Sequence, residues 1–269
     1  MKSSLICTIL LAMTVVAQPK GGVGQQKPRG GWWGNLLSER TMELSRLVDR
    51  PEGLRGHSVS LVIQLRGEGR IDNPFHTRFE AETYISLEAW GDDAELWVRE
   101  VYDRPFQHLF VKRGSEVART LDGAPEYSRW VLTGEVAEIV KGMPWIDVAS
   151  ARQLKARLDE PSLVNIVKGY MLRDLKRWDA AASAFHAADG VTLPRHVRAM
   201  IAREEAKALV RGGKMTLAVS RLEAAVRVVG EDPRSAALLK AWRARLERAP
   251  SRHRPSKPAP KSGPVIESR

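Results

Sequence analysis

Apolar and polar residues alternate along much of the stretch from residue 57 to residue 149. From Val59 to Leu65, apolar side chains take every second position and polar side chains take most of the others. A period of two is typical of a half-buried β-strand. Gly67-Glu68-Gly69 then breaks or bends the strand. The pattern predicts a β-domain over residues 57–149.

The same alternation predicts a β-hairpin over residues 84–101, with Asp92-Asp93 as a two-residue turn. In this register one face is uniformly apolar, and a slip of one residue would mix the two faces. The opposite face carries the candidate ligand-binding residues Tyr84, Trp90, Trp97 and Arg99. This aromatic face is either a binding surface or the seat of another element, such as the helix that follows Trp32-Trp33. We expect the chain itself to cover Trp97.

Further short strands are predicted after this hairpin. Phe106–Lys112 is one candidate, and Glu116–Leu121 is a shorter one. A closing hairpin joins Arg129–Val140 to Pro144–Val148 through Lys141-Gly142-Met143. Its expected core residues are Trp130, Leu132, Ile146 and Val148. Five or six short strands in about ninety residues indicate a small barrel or sandwich.

Two stretches of this region resemble OB-fold domains. RWVLTGEVAEIVKGMPWIDVASARQL is similar to the closing hairpin of an OB-fold barrel. IDNPFHTRFEAETYISLEAWGDDAELWVREVYDRPFQHLFVKRG resembles the middle of OB-like domains in exported bacterial proteins. The resemblance implies a small antiparallel barrel. OB-folds bind oligonucleotides or oligosaccharides on the face of strands 2 and 3, so the fold does not select a ligand.

After Val148 the apolar period changes to that of a helix. Leu154 and Leu158 predict a short helix that ends at Pro161. The next stretch, NIVKGYMLRDLKRWDAAASAFHAADG, resembles a tetratricopeptide repeat. In that repeat the small residues, here Gly169 and Ala181, let two helices approach closely. The large residues, here Trp178 and Phe185, fill the space between repeats.

A second unit over residues 206–225 follows an insertion near Pro194, and a capping helix is predicted over residues 234–248. Residues 150–249 are therefore expected to form a tetratricopeptide-like helical domain, with plain helical hairpins as the alternative. The whole chain is predicted to be α+β, with a small antiparallel OB-like barrel followed by an array of helical hairpins.

The two ends of the chain have different compositions. Residues 1–17 have a positive start, an apolar run and a small residue before Gln18, which indicates a signal peptide. The run is shorter than the ~20 residues of a transmembrane helix, although an uncleaved anchor stays the alternative. Residues 18–31 are interpreted as a flexible linker and residues 32–56 as an N-terminal helix. Residues 250–269 form a basic, Pro-rich tail expected to be disordered.

Charge and cysteine content limit the chemistry and the partners that the protein can have. The only cysteine, Cys7, lies in the predicted signal peptide, so the exported chain has no thiol and no disulfide. The net charge is +11 and the pI about 10.0, which favours polyanions as partners of the basic helices and tail. The alternative is a solvated surface of an Arg-rich protein. Neither observation identifies a ligand.

Sequence motifs give no catalytic set. GxSxG, HExxH, P-loop and dinucleotide fingerprints are absent, and His57, His76 and His108 have no metal-ligand spacing. Glu88 and Glu95 share a face of the predicted hairpin, as glycosidase carboxylates do, but such acids are more often partners of an arginine such as Arg99. We expect no enzyme activity, cofactor or metal.

These observations favour a non-catalytic exported protein of the periplasm or cell envelope that acts as an interaction or scaffold module. Its expected partner is another envelope protein or a peptide, because stacked helical pairs build concave binding surfaces. The alternative is an OB-type binder of single-stranded nucleic acid or of cell-wall glycan. Basic charge and aromatic residues favour nucleic acid, whereas the signal peptide and the two glutamates oppose it.

Overall fold

The structure is a computed structural model that describes residues 41–72, 75–230 and 232–248. The predicted signal peptide, the linker, the Trp32-Trp33 pair and the basic tail lie outside these residues. The described chain is α+β, as predicted, with a five-stranded sheet followed by helices. No helix of these residues is both long enough and apolar enough to cross a lipid bilayer.

Five strands form one sheet that closes on itself. They are β1 (Ser58–Gly69), β2 (Tyr84–Gly91), β3 (Phe106–Lys112), β4 (Arg129–Val140) and β5 (Met143–Leu154). Their order around the closed sheet is β1-β2-β3-β5-β4. Four pairings are antiparallel, but β3 and β5 run parallel, with Leu109 opposite Ile146. The prediction of a purely antiparallel barrel was therefore wrong, and the sheet is mixed.

The closing hairpin is confirmed. β4 and β5 pair in antiparallel fashion, with Val140 opposite Met143. Lys141 and Gly142 form the turn, and both have positive φ, at 51° and 75°. Two successive positive φ values belong to the primed turns that match the twist of paired strands. The four predicted core residues, Trp130, Leu132, Ile146 and Val148, are all buried.

Strand β1 is also confirmed, but both of its faces are covered. Val59, Leu61, Ile63 and Leu65 form part of the sheet's interior. Ser60 and Gln64, on the other face, are buried as well. The pairing of β1 with β2 shifts between Leu65 and Gly67, so the glycine-rich stretch bends the strand at a bulge without ending it.

Two predicted strands are absent. Residues 94–101 do not pair with β2, because β2 is already hydrogen-bonded to β1 on one edge and to β3 on the other. They form turns that lead into the short helix α2 (Arg99–Tyr102), whereas α1 (Leu44–Asp49) precedes the sheet. Glu116–Leu121 is a helix, α3, which begins because the Ser115 hydroxyl accepts a hydrogen bond from the Ala118 N–H at 3.1 Å.

Five helices follow the sheet. They are α4 (Glu160–Asp174), α5 (Trp178–Ala188), α6 (Arg195–Arg211), α7 (Met215–Val229) and α8 (Pro233–Arg248). The predicted short helix ending at Pro161 was wrong, since Leu154 is the last residue of β5 and Pro161 lies in the first turn of α4. Proline fits there because the first helical N–H groups have no partner within the helix.

Helices α4 and α5 approach closely at Gly169, as the sequence predicts. A Cβ atom on Gly169 would lie 2.7 Å from the ring of Phe185. Phe185 and Ala181 are both fully buried between the helices. Trp178 is only half-buried, so it fills less of the space between helical pairs than expected. The close contact between α4 and α5 that the resemblance implied is therefore present.

The hydrophobic core of the helices extends into the sheet. Trp90, Leu96 and Tyr127, from the sheet and its loops, belong to the same buried cluster as Leu163 and Phe185. Leu158, in the segment that joins β5 to α4, is only 1% exposed and belongs to it too. The sheet and the helices are packed against each other along this cluster.

Candidate binding groove

Residues 92–105, which connect β2 to β3, bring the sheet into contact with the helices. Asp92 fixes the start of this connection, because both of its carboxylate oxygens accept hydrogen bonds from Arg129, at 2.6 and 2.8 Å. Its N–H also donates to the Val62 carbonyl at 3.1 Å. From there the chain turns away from the sheet and places Leu96 and Trp97 against the helical core.

Trp90 is buried beneath this connection and is 2% exposed. Its ring is stacked with Tyr102 and Tyr127, at centroid separations of 5.2 and 5.8 Å. Its indole N–H donates to the Tyr102 carbonyl at 3.2 Å. With both the ring and the N–H engaged, Trp90 holds the connection on the sheet, and a ligand would have no access to it.

Trp97 lies between the sheet and the helices. It is half-buried and stacks on Tyr170 of α4 with a centroid separation of 6.3 Å and an interplanar angle of 19°. Trp97 separates two cavities, since it lines a polar one on one side and an apolar one on the other. The chain thus covers part of Trp97 through α4 and leaves part of it open to the cavities.

The apolar cavity, which we call the apolar groove, has a volume of about 470 Å³. Its walls are mainly aromatic and aliphatic and come from the connection on one side and α4 on the other. They include Leu96, Trp97, Tyr102, Tyr127, Leu163, Val164, Val167 and Met171. Val164 and Met171, at 57% and 62% exposed, add apolar surface to the same face. Leu175, one helical turn beyond Met171, continues the exposed stripe at 65%.

Charged side chains lie only at the rim of the apolar groove. Arg99, Glu160 and Lys168 are its three charged lining residues. Arg99 is almost fully exposed and pairs with Asp103 at 3.3 Å, one helical turn further on. An exposed pair of this kind contributes little to stability, so the Arg99 guanidinium is free to change partner.

Tyr127, which lines the groove, and Tyr170, on which Trp97 stacks, stay neutral. Burial raises the pKa of Tyr127, and its hydrogen bond with Tyr102, at 3.0 Å, raises it further. Burial also raises the pKa of Tyr170. Both phenols therefore present uncharged aromatic surface to the groove and the core, and neither is poised to act as a base near neutral pH.

The second cavity, the polar cleft, has a volume of about 610 Å³. Acidic residues Glu43, Asp92, Asp93 and Glu95 line one wall, and His196, Arg203 and Arg234 of the helices line the other. Burial lowers the pKa of His196, although a hydrogen bond to the Asp92 backbone opposes this. Arg203 is engaged with Asp232 at 3.2 Å. The contact that crosses the cleft is the hydrogen bond between His196 and the Asp92 backbone, whereas Arg203 is paired within the helical half.

Tyr84 lies apart from the other three candidate residues. It packs with Phe79, Phe110 and Trp145, and its hydroxyl donates to Asp147 at 3.4 Å. Burial raises its pKa, and Asp147 adds to this. Since Tyr84 begins β2 and Trp90 nearly ends it, the predicted four-residue face does not form one site. Only Trp97 and Arg99 line the apolar groove.

The aromatic cluster around Tyr84 is covered by the chain itself. Phe79, from the loop between β1 and β2, is fully buried and stacks on Phe110 with a centroid separation of 4.2 Å. Trp145 is also buried, and His108 stacks on it at 5.2 Å. Phe79, Phe110 and Trp145 are at most 4% exposed, so they offer almost no surface for stacking, whereas Tyr84 and His108 are half-buried.

Glu88 and Glu95 do not share a face, because the predicted hairpin is not formed. Glu88 accepts hydrogen bonds from Arg66 and Gln107, each at 3.0 Å, whereas Glu95 lines the polar cleft. Among the described residues, no cluster of three or more His, Cys, Asp or Glu side chains could hold a metal ion.

Sequence reasoning missed the α4 wall of the groove. Val164, Lys168, Met171 and Leu175 recur at helical spacing on the side of α4 opposite Ile166 and Gly169, which face α5. A helix with apolar residues on two sides indicates a second contact surface, and that signal is readable in the sequence.

Comparison with known proteins gives no match: no family model, no curated protein and no solved structure is significantly similar to this chain.

Proposed function

We propose that the protein is a non-catalytic, exported interaction module whose apolar groove binds an apolar segment of another envelope protein. The main support for this proposal is the apolar groove, in which Val164 and Met171 are more than half exposed beside Trp97. Contiguous exposed apolar surface on a water-soluble domain marks interaction sites. A rim of Arg99 and Lys168 would favour acidic residues flanking the bound segment.

The proposed architecture is an OB-like domain followed by tetratricopeptide-like helices. The five-stranded order β1-β2-β3-β5-β4, with the helix α3 between β3 and β4, supports the first identity. Successive helix pairs and the tight contact of Gly169 with Phe185 support the second. On this reading, the connection from residue 92 to residue 105 occupies part of the surface that the helices would offer to a ligand.

Binding of single-stranded nucleic acid or glycan has less support. Such ligands would stack on aromatic residues of the sheet, yet Phe110 and Trp145 are covered by Phe79. The basic charge is also partly neutralised. Arg173, Arg198 and Arg203, three of the helical arginines, are each paired with a carboxylate within 3.5 Å. Polyanion binding through the helices and tail stays a secondary proposal.

A photo-cross-linking residue tests the groove. Benzoylphenylalanine would replace Met171 in one variant and Val228 of α7 in a control, since the two side chains are similarly exposed, at 62% and 64%. After irradiation of living cells, we expect an adduct of higher mass with another envelope protein at position 171 only. No such adduct, or the same adducts at both positions, would contradict a partner-binding groove.

Export is tested separately by N-terminal sequencing of the protein recovered from the envelope fraction. We expect the mature chain to start at Gln18, after cleavage behind Ala17. A chain that still starts at Met1 would remove the envelope assignment without affecting the groove.

A further inference from the structure

Two charges at the rim of the apolar groove have no partner in the part of the chain that the structure describes. Glu160 and Lys168 both line the groove and are exposed, and within the described residues neither side chain forms an ion pair or a hydrogen bond. Both lie on α4, where their positions in the helix place them about 12 Å apart along its axis. These opposite charges are therefore available to a segment bound in the groove.

The same face of α4 is apolar at helical spacing. Val164, Met171 and Leu175 follow one another along it, with Lys168 between the first two. From Val164 to Leu175 the face is about 16 Å long, or roughly three helical turns. A segment that covers this face needs apolar side chains over the same length.

The walls of the groove favour a helical segment over an extended one. They come from α4, from the connection between β2 and β3 and from the loop before β4, so no strand edge lines the groove. An extended segment would find no row of free N–H and C=O groups, because α4 bonds its own backbone internally. A bound helix satisfies its own backbone groups and needs only side-chain contacts.

A second copy of α4 fits this face poorly. In a two-fold symmetric pair centred on the face, Lys168 would lie near the Lys168 of the other copy. Like charges at such positions repel each other. An acidic residue on a different segment would attract Lys168 instead, so charge favours a partner of another sequence.

We propose that the segment bound in the apolar groove is an amphipathic helix antiparallel to α4, with an acidic residue opposite Lys168 and, about two turns later, a basic residue opposite Glu160. This inference rests on the proposed function and adds the fold and polarity of the partner. In the antiparallel direction the acidic residue comes first. That order agrees with the helix dipole, which favours acids near the N-terminus and bases near the C-terminus.

Fluorescence anisotropy with two labelled peptides of about five helical turns tests the polarity. Both peptides carry the same apolar stripe on an Ala-rich helix, with Glu two turns before Lys in one and Lys two turns before Glu in the other. We expect the Glu-first peptide to bind the purified protein about fivefold more tightly, the factor that ~1 kcal/mol represents. Equal affinities, or tighter binding of the Lys-first peptide, would overturn the proposal.

Exchanging the two charges on the protein is the matched control. Glu160→Lys with Lys168→Glu should reverse the preference, because each rim charge then attracts the other peptide. Lys168→Glu alone should abolish it, so the test does not depend on the substitution in the first turn of α4. Lys240→Glu, at an exposed lysine of α8, should leave it unchanged. A preference that survives the exchange of charges would overturn the proposal.

Other occupants of the groove give different results. A peptide of the same composition with apolar residues at every second position has no apolar helical face and should bind more weakly. If it binds more tightly, the groove takes an extended segment and the proposal fails. The proposal also fails if the protein alone sediments as a dimer that Met171→Asp dissociates, because a second copy then covers the face.

The two proposals can fail separately. If no peptide binds while position 171 still cross-links to an envelope protein in cells, the helical partner is wrong and the partner-binding groove stands. If the peptides show the expected preference but position 171 gives no adduct in cells, the proposed function fails and the preference of the groove for this kind of helix stands.

Discussion

Trp97 shows how one side chain can hold two halves of a molecule together. It extends from the connection between β2 and β3 and stacks on Tyr170 of α4. Its neighbour Leu96 is 2% exposed within the shared core. The sequence predicted that the chain would cover Trp97, and the half-buried ring agrees in part, although the strand register behind that prediction was wrong.

Trp97→Ala should lower the free energy of unfolding by about 2 kcal/mol, between the values for surface and fully buried residues. Leu96→Ala should cost about 2–5 kcal/mol, because it leaves a cavity in the core. Urea denaturation of the two variants beside wild type measures both. A Trp97→Ala protein that unfolds like wild type would show that the contact with Tyr170 contributes nothing.

Gly169 offers a second test of packing between helices. In Gly169→Ala the new methyl group would meet the Phe185 ring at 2.7 Å, so the helices must move apart. We expect a loss of about 1–3 kcal/mol in the free energy of unfolding, as for other overpacked cores.

Gly53→Ala is the control for Gly169→Ala, since a Cβ at Gly53 would meet nothing within 4 Å. It should be neutral or stabilise by up to ~1 kcal/mol through the unfolded chain. Thermal denaturation of both variants measures the difference in their melting temperatures. Equal melting temperatures would mean that α4 and α5 are not in close contact.

At the scale of elements, alternation predicted the strands whose two faces differ and failed where turns imitate a strand. In residues 94–98 the apolar residues Ala94, Leu96 and Val98 alternate as in a strand, but both Leu96 and its neighbour Trp97 pack on the helical core and line the groove. The sequence holds no sign that both edges of β2 are already paired. Residues 116–121 form a helix and not the predicted short strand, because Ser115 caps them.

The helix α3 should depend on that cap. Ser115→Ala removes the acceptor for the Ala118 N–H and should destabilise the protein by about 1 kcal/mol. Ser115→Asp keeps an acceptor at the same position and should retain most of the stability. Chemical denaturation of the pair measures the difference. If Ser115→Asp is as unstable as Ser115→Ala, the side-chain cap is not what starts this helix.

At the scale of the whole molecule, His196 of the helices lines the polar cleft opposite Asp92 and Asp93 of the connection, and its shifted pKa makes stability depend on pH. Burial lowers the pKa of His196 from its ordinary 6.5, and Arg129 adds to this, while Asp92 and Asp93 oppose it. Below about pH 6.5 the unfolded chain takes up the proton first, so the folded protein loses stability. The contribution of neutral His196 is fully present above that pH.

We therefore expect the free energy of unfolding to fall between about pH 7 and about pH 5.5, and to fall less in His196→Gln, which does not titrate. His108, whose pKa burial also lowers, keeps part of the dependence in both proteins. Urea denaturation at a series of pH values gives the two slopes. Identical slopes would show that the folded structure does not lower the pKa of His196.

The site was less predictable than the fold because it lies between elements. Trp97 and Arg99 were identified from their residue types, but their groove exists only because α4 packs beside them. Pairing the sheet correctly requires contacts between residues far apart in sequence, and one sequence carries no record of such contacts.

The parallel pairing of β3 with β5 has a consequence during synthesis. Leu109 has no partner on that side until Ile146 has been made, so a growing chain carries an open strand edge across α3 and all of β4. Such edges recruit other chains, and distant pairings form slowly. Ribosome-bound or truncated chains that end before Met143 should therefore aggregate or bind chaperones, whereas the full-length chain should not.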